Sequence, residues 1–241
     1  MQYFKSLIFS IFMITSTVIV GLLAMVLFLL PFIDRHAVAR TFSVFNVALL
    51  KHLCSVDYVV EGKENIPEGA AIIFSKHQST WETMALQLVF PPQTFVVKRE
   101  LMWVPFFGWG LTLLRPIAIN RAAGRNAIKQ IVRQGIERLK AGIWVVIFPE
   151  GTRVPPGQKV RYKIGGAILA AESGYPVVPV AHNSGEFWPK KQFLKKPGTI
   201  KLVIGPPIQT QDRKPDAILA EAETWIETTM ARISQSTSIR P

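Results

Sequence analysis

The sequence is poor in groups that several common enzyme classes need. Its one cysteine, Cys54, cannot form a disulfide within the chain, which agrees with a reducing compartment. There is no Gly-x-Ser-x-Gly elbow, which argues against a serine hydrolase, and neither a Walker A loop nor a Gly-x-Gly-x-x-Gly fingerprint occurs. Because His36, His52 and His182 lack metal-ligand spacing, we expect no cofactor and no metal site.

Charge is absent from residues 7–33. A membrane-spanning helix needs roughly 20 apolar residues, so this run is long enough to cross a bilayer with some tilt. A cleaved signal peptide is the alternative, but its apolar region usually has about 7–15 residues, and no small-x-small cleavage site follows here. We therefore expect a retained, membrane-anchoring helical segment at residues 1–36 and a globular domain at residues 37–241.

The charges beside the apolar run predict an orientation. Lys5 precedes the run, and three positive residues follow it: Arg35, Arg40 and Lys51. By the positive-inside rule the globular domain then lies on the cytoplasmic side of the cell inner membrane. Pro31 and Gly21 also permit a bent hairpin within one leaflet, so both a spanning helix and a re-entrant hairpin remain open.

Acidic residues are few, because 28 Lys and Arg stand against 16 Asp and Glu and give a net charge of +12. Nucleic acid, an anionic lipid surface and small acidic substrates could each partner such a charge. The apolar run favours the last two, so we expect the lipid bilayer as a partner and no nucleic acid. Five lysines form either a lipid-headgroup patch, worth roughly 1 kcal/mol per charge, or a solvated loop: Lys190, Lys191, Lys195, Lys196 and Lys201.

Apolar runs typical of strands recur along the globular part, at residues 58–60, 71–74, 94–97, 117–119, 144–148, 177–180 and 200–204. Several are continuous rather than alternating, which is typical of strands covered on both faces. Helical periodicity predicts helices at residues 37–53, 125–141, 163–173 and 215–233. These elements predict an α/β fold with a mostly parallel or mixed sheet flanked by helices, followed by a frayed tail at residues 234–241.

A histidine and a glutamate follow the second predicted strand, in the run HQSTWE at residues 77–82. Ligands bind at the carboxyl ends of strands in α/β sheets, and a histidine there can act as a general base. Glu82 would hold the His77 imidazole in one tautomer and stabilise the imidazolium. Ser79 and Glu82 also fit a helix capping box, which is a purely structural explanation. A carboxylate has two oxygens, so both roles can coexist.

The run FPEGTR at residues 148–153 follows the most hydrophobic strand. Gly151 allows a sharp turn and a close approach to a ligand, and amides in such a turn can bind an anion. Arg153 can hold a phosphate through two parallel hydrogen bonds. An ordinary turn with a surface ion pair between Glu150 and Arg153 is the structural alternative.

Two more predicted strands end in cations, at Lys98 and at Arg121. Either one alone is ordinary for a solvated strand end. Together, the four strand ends supply a histidine, a carboxylate and several cations. That combination predicts a binding site for an anionic substrate with a base beside it.

The four segments, in this order, resemble the motifs of the glycerolipid acyltransferase family, which includes the 1-acylglycerol-3-phosphate acyltransferases. The family motifs are His-x4-Asp/Glu, a block that ends in Arg, Phe-Pro-Glu-Gly-Thr-Arg and a late Val-Pro-Val block. They match residues 77–82, 116–121, 148–153 and 177–180. The matching blocks span roughly residues 61–207, and the third match is complete.

The resemblance implies that residues 37–241 are an acyltransferase catalytic domain. It would transfer a fatty acyl group from acyl-CoA or acyl-carrier protein to the sn-2 hydroxyl of lysophosphatidic acid, giving phosphatidate in phospholipid biosynthesis. His77 would deprotonate the hydroxyl and Glu82 would orient His77. The implied substrate-binding residues are Lys98, Arg121 and Arg153 at the phosphate, and Glu150, Gly151 and Thr152 around the acceptor and oxyanion.

The sequence departs from the family pattern in two places that concern the acceptor. Glu82 stands where this subgroup more often has Asp, and residues 118–121 lack the usual Phe and Asp of the second block. Another lysophospholipid, an ornithine-type lipid or glycerol 3-phosphate therefore stays open as acceptor. A non-catalytic, basic membrane-binding protein is the alternative of another class, but binding alone does not require His77 and Glu82. The apolar residues 106–114 could contact the membrane, line an acyl-chain pocket or pack in the core.

Overall fold

The computed structural model describes residues 1–234. The predicted tail, apart from Ser234, lies outside the described residues. Seven α-helices and seven strands occur in the described chain: α1 (Gln2–Leu27), α2 (Phe32–Cys54), β1 (Val56–Glu61), β2 (Ile72–Ser75), α3 (Trp81–Val89), β3 (Gln93–Lys98), α4 (Phe107–Thr112), β4 (Ile117–Ile119), α5 (Arg125–Lys140), β5 (Trp144–Ile147), α6 (Gly165–Ser173), β6 (Val177–His182), β7 (Gly198–Ile204) and α7 (Pro215–Ile233).

The strands form one sheet in the order β1-β7-β6-β2-β5-β3-β4. Neighbouring strands run parallel except for the antiparallel pair of β6 and β7. The five strands from β6 to β4 therefore share one direction, and their carboxyl ends meet at one edge. The predicted α/β fold with a mixed, helix-flanked sheet is confirmed, and each predicted strand overlaps an observed one.

Both faces of the sheet are covered, as the continuous apolar runs predicted. Ile73 and Val146 belong to a buried cluster with residues of α2 and α3. Their neighbours Ile72 and Val145 belong to a second cluster, with residues of α5, α6 and α7. Successive residues of a strand point to opposite faces, so an apolar residue is needed at every position. Each such side chain contributes roughly 1.5–3 kcal/mol when it is fully buried.

The charge-free run at residues 7–33 does not form one helix. It is divided between α1 and α2, and α2 begins at Phe32, five residues before the predicted start at residue 37. Pro31 has an extended conformation with φ −53° and ψ 152°, so it stands outside both helices. The short connection and the packing of α1 against α2 make a helical hairpin. The predicted boundary at residue 36 falls inside α2, and the division into two domains stays a prediction.

α1 is held to the rest of the chain near its amino end. The Gln2 side chain donates hydrogen bonds to the carbonyl oxygens of Cys54, at 3.1 Å, and of Lys195, at 2.7 Å. Lys195 is buried, with Nζ lying 5.4 Å from the centroid of the Phe9 ring and 5.1 Å from that of Trp188. The expectation of an exposed lysine cluster is therefore wrong for Lys195, which packs its ammonium against aromatic rings of the domain and of α1.

Candidate active site

The shared edge of the parallel strands gathers the residues that the sequence singled out. His77 follows β2, Lys98 ends β3, Arg121 follows β4 and Arg153 follows β5. All four line one cavity of about 320 Å³. The ends of four separate strands thus contribute to one cavity, because parallel strands bring their carboxyl ends together.

His77 is held by its ring and leaves one nitrogen free. Nδ1 lies 2.8 Å from Oε1 of Glu82, and the ring stacks on Phe148 with centroids 4.0 Å apart. An ionised carboxylate only accepts hydrogen bonds, so Nδ1 carries the proton and Nε2 has the lone pair. The side chain is 14% exposed and borders the cavity. A neutral imidazole in this tautomer can take a proton from a group in the cavity.

The Glu82 carboxylate is fully buried and receives hydrogen bonds from several neutral donors besides His77. The backbone N–H groups of Gln78 and Ser79 donate at 2.9 Å each, and the hydroxyls of Ser79 and Ser184 donate at 2.7 and 3.0 Å. The hydrogen bond from the Ser79 N–H to Glu82 is the glutamate half of the predicted capping box, while the Ser79 hydroxyl accepts from the Trp81 N–H instead of the Glu82 N–H. The capping arrangement and the contact with His77 therefore coexist.

The hydrogen bonds keep Glu82 ionised. Burial by itself raises the pKa of this carboxyl, but nearby His182 and the bonds from His77 and Ser79 outweigh it and hold the pKa well below the usual range. Burial lowers the pKa of His182, whereas the neighbouring Glu82 carboxylate raises it. The base is thereby paired with a permanent negative charge.

Ser184 and His182 take part in this site although the sequence argument gave them no role. Both follow from β6, whose carboxyl end lies next to that of β2. The ring nitrogen Nε2 of His182 donates a 2.8 Å hydrogen bond to the carbonyl oxygen of Lys76. The Val-Pro-Val block at residues 177–180 was the available signal, since it marks the strand that leads to these two residues.

The rest of the cavity wall is mostly apolar and comes from helices as well as strands. Residues 106–114, which the sequence left between three roles, contribute Phe106, Phe107, Gly110, Leu111 and Leu114. The other lining residues are Thr17 and Val20 of α1, Ala39 and Phe42 of α2, Thr80, Thr83, Met84 and Gln87 near or in α3, and Phe95, Val96, Val97, Leu101 and Phe148. The cavity thus combines a histidine and three cationic side chains with a mostly apolar wall.

Glu150, Gly151 and Thr152 do not line this cavity. Glu150 is buried, and its Oε2 accepts a 2.7 Å hydrogen bond from the backbone N–H of His77. Gly151 has φ 69° and makes the turn, while the Thr152 hydroxyl accepts a 3.3 Å bond from Lys190. The structure places these residues beside His77 and Arg153, and their roles toward a substrate stay predictions.

The cationic side chains that line the cavity are weakly paired or unpaired with carboxylates of the described residues. Lys98 is about half exposed and lies 3.8 Å from Glu100, a distance that gives a weak pair. Arg121 and Arg153 form no salt bridge within residues 1–234. Three positive side chains beside an imidazole can bind an anion next to a proton acceptor.

Comparison with known proteins identifies the family of this chain. A family model described as "Acyltransferase" matches residues 57–183, which is more than half of the chain. The chain belongs to the acyltransferase family. The match contains His77, Glu82, Lys98, Arg121 and residues 150–153, and it identifies the protein as an enzyme that transfers acyl groups.

This acyltransferase has similar relatives among bacteria and eukaryotes. A Pseudomonas aeruginosa protein named 1-acyl-sn-glycerol-3-phosphate acyltransferase is 45% identical over 97% of this chain and 93% of its own. A Saccharomyces cerevisiae protein of the same name is 30% identical over 73% of this chain and 59% of its own. The crystal structure of the 1-acyl-sn-glycerophosphate acyltransferase PlsC from Thermotoga maritima aligns with a TM-score of 0.78, at 24% identity, over 100% of this chain and 97% of that one. The two share a fold.

Proposed function

We propose that this acyltransferase transfers a fatty acyl group from a thioester to the sn-2 hydroxyl of 1-acylglycerol 3-phosphate, giving phosphatidate for phospholipid biosynthesis. One observation carries the proposal: His77, paired with the buried carboxylate of Glu82, borders a cavity whose wall is mostly apolar but includes three cationic side chains. A lysophosphatidic acid has a phosphate monoester and an acyl chain on one small backbone. The names of the Pseudomonas aeruginosa and Saccharomyces cerevisiae relatives support the same acceptor.

The chemistry needs only one base. Nε2 of His77 would take the proton from the acceptor hydroxyl as the oxygen attacks the thioester carbonyl. The tetrahedral intermediate then collapses, the ester C–O bond remains, the C–S bond breaks, and the imidazolium returns its proton to the leaving thiolate. Glu82 would stabilise the imidazolium through the 2.8 Å contact at Nδ1. No acyl-enzyme is required, because the thioester is already activated.

The phosphate would be bound by Lys98, Arg121 and Arg153, which all line the cavity. An arginine can bind two phosphate oxygens at once, which fixes the direction of the acceptor as well as holding its charge. Gly151 and Thr152 would act through the turn that carries Arg153. Glu150 would act on the acceptor only through His77, since its carboxylate contacts the backbone of that residue.

The protein would work at a membrane, with residues 1–36 as the anchoring segment. α1 is the one helix in the described chain long and apolar enough to cross a bilayer, judged by length and composition. Its apolar side chains are widely exposed, among them Phe4, Ile11 and Ile14. Since Gln2 is bonded to the domain and α1 packs on α4, we favour a hairpin inserted from one side over a free spanning helix. We expect the catalytic domain on the cytoplasmic side of the inner membrane, in contact with the lipid bilayer.

The proposal is tested with purified full-length protein, by measuring thiol release from acyl-CoA and from acyl-carrier protein against a panel of acceptors. We expect release with 1-acylglycerol 3-phosphate, and loss by on the order of 10²–10⁴-fold in His77→Ala. His52→Ala, an exposed histidine of α2, is the matched control and should keep the wild-type rate. Reaction only with lysophospholipids that carry an esterified headgroup would reject the phosphatidate assignment. The two donor arms decide between the coenzyme and the carrier protein.

A further inference from the structure

A buried cluster of charged side chains lies on the side of His77 away from the cavity. The ammonium of Lys76 is 2.7 Å from Oε1 of Glu150 and 2.8 Å from Oε1 of Glu227, which comes from α7. The Tyr162 hydroxyl donates a 2.9 Å hydrogen bond to the same oxygen of Glu227. None of these four residues lines the cavity, and the side chain of Lys76 is only 2% exposed.

Stability alone is a poor reason for this cluster. Removing an ammonium and two carboxylates from water is expensive, and a buried ion pair can often be replaced by apolar residues of similar volume without loss of stability. Here two carboxylates share one ammonium, so the attraction is divided. The cluster is better explained by what it holds in place.

What it holds is the backbone of His77. Oε2 of Glu150 accepts the His77 N–H at 2.7 Å, and the N–H of Val154 donates to the His77 carbonyl oxygen at 2.8 Å. Both hydrogen-bonding groups of the His77 main chain are thus bound by the loop after β5. The Glu82 contact fixes the ring, whereas these two bonds fix the main chain that carries it.

We infer that Lys76, held by Glu227 and Tyr162, is a positioning residue for the catalytic base: it keeps Glu150 ionised and directed at the His77 N–H. This inference rests on the proposed role of His77. It gives Glu150 a place in the mechanism that does not require contact with substrate. It also assigns Glu227, some 150 residues distant in sequence, to the same site through one ammonium.

The surroundings of Glu150 explain why the ammonium matters. Burial raises the pKa of the Glu150 carboxyl; Lys76 and the bond from His77 lower it, and the charge of Glu227 raises it. Glu227 also lies 3.9 Å from the exposed Lys159, and burial raises the pKa of Tyr162, which stays a neutral donor. Without the Lys76 charge, Glu150 would take up a proton more readily and would accept the His77 N–H less strongly.

The first test is Lys76→Met, which removes the ammonium and nearly keeps the length, in purified full-length protein. We expect kcat to fall on the order of 10²-fold, because small displacements of a base have effects of that size, with little change in KM. We also expect part of the loss to be recovered toward alkaline pH, where Glu150 ionises again. A purely structural defect would not show that recovery. Lys51→Met, which breaks an exposed pair with Asp57, is the control with unchanged kcat.

The second test is Glu227→Gln, which keeps the side-chain volume and removes one of the two negative charges. The Lys76 ammonium then pairs with the negative charge of Glu150 alone, so we expect the acid limb of the pH profile of kcat to move to lower pH. This variant tests the inference on its own if Lys76→Met does not fold. The inference would be overturned by a folded Lys76→Met variant with wild-type kcat, or by one whose kcat is reduced equally at every pH. An acid limb of the kcat profile that stays unmoved in Glu227→Gln would overturn it as well. Such results in an enzyme that still depends on His77 leave the proposed function standing, whereas absence of thiol release from the wild type rejects that function itself.

Discussion

Two buried glutamates flank His77 and differ in how they are held. Glu82 binds the ring and is surrounded by backbone amides, serine hydroxyls and the imidazole. Glu150 binds the main chain and has one backbone donor together with a shared ammonium. Burial raises the pKa of both carboxyls, yet the pKa of Glu82 ends below its usual range and that of Glu150 above it. At Glu82 the nearby His182 and several directed donors therefore outweigh burial, whereas at Glu150 one cation shared with a second carboxylate does not.

The largest expected effect is that of Glu82→Gln on turnover. The amide has one acceptor oxygen for several donors and cannot stabilise an imidazolium, so kcat should fall on the order of 10²–10⁴-fold. Thiol release at saturating substrates is the measurement. Glu172→Gln changes an exposed glutamate of α6 in the same way and should leave the rate unchanged. A loss below about tenfold would remove Glu82 from the mechanism.

The opposite pKa shifts of the two glutamates predict opposite pH dependences of stability. A carboxyl whose pKa is lower in the folded state stabilises the fold at pH values above the pKa of the unfolded chain, about 4.3, and this contribution is lost as the pH falls. A carboxyl whose pKa is higher in the folded state stabilises the fold below that pH, and its contribution is lost as the pH rises. The Tm difference between wild type and Glu82→Gln should therefore narrow on acidification. The Tm difference between wild type and Glu150→Gln should narrow as the pH rises from acid to neutral. Thermal unfolding in detergent checks both, and slopes of equal sign would break the comparison.

The smallest effect should come from trimming one donor of Glu82. Ser184→Ala removes the 3.0 Å hydroxyl bond but leaves the bonds from His77, Gln78 and Ser79. We expect a loss of stability of about 1 kcal/mol and only a few-fold fall in kcat. Ser173→Ala, at the end of α6, is the control for the loss of a serine hydroxyl. A fall in kcat as large as that of Glu82→Gln would mean that the hydroxyl acts on the reaction itself.

The sequence was most informative where chemistry and strand ends coincide. His77, Lys98, Arg121 and Arg153 could be placed together in advance because parallel strands align their carboxyl ends. The buried charged residues around Lys76 and Glu150, which hold the main chain of His77, could not be predicted in this way. Their contacts join residues far apart in the chain, as when Glu227 of α7 meets Lys76, and no local period records such a pairing.

The apolar amino-terminal part shows the other limit. Hydropathy marks a long uncharged run, but it does not say where the chain turns or which side packs on protein. The break at Pro31 and the contacts of Gln2 decide those points. The spanning or hairpin topology in a bilayer stays a prediction, as does the domain boundary.

Gly21 has a mechanical consequence for the whole enzyme. A Cβ at this position would collide with the backbone of Phe106, so the main chains of α1 and of the turn before α4 touch directly. Phe106 has φ 60°, a strained value for a residue with a side chain, and it lines the cavity. Through Thr17 and Val20, α1 is thus one wall of the cavity as well as the proposed membrane anchor. A version of the protein trimmed to begin at α2 would lose that wall, so any gain in solubility from the trimming would leave the cavity open on that side.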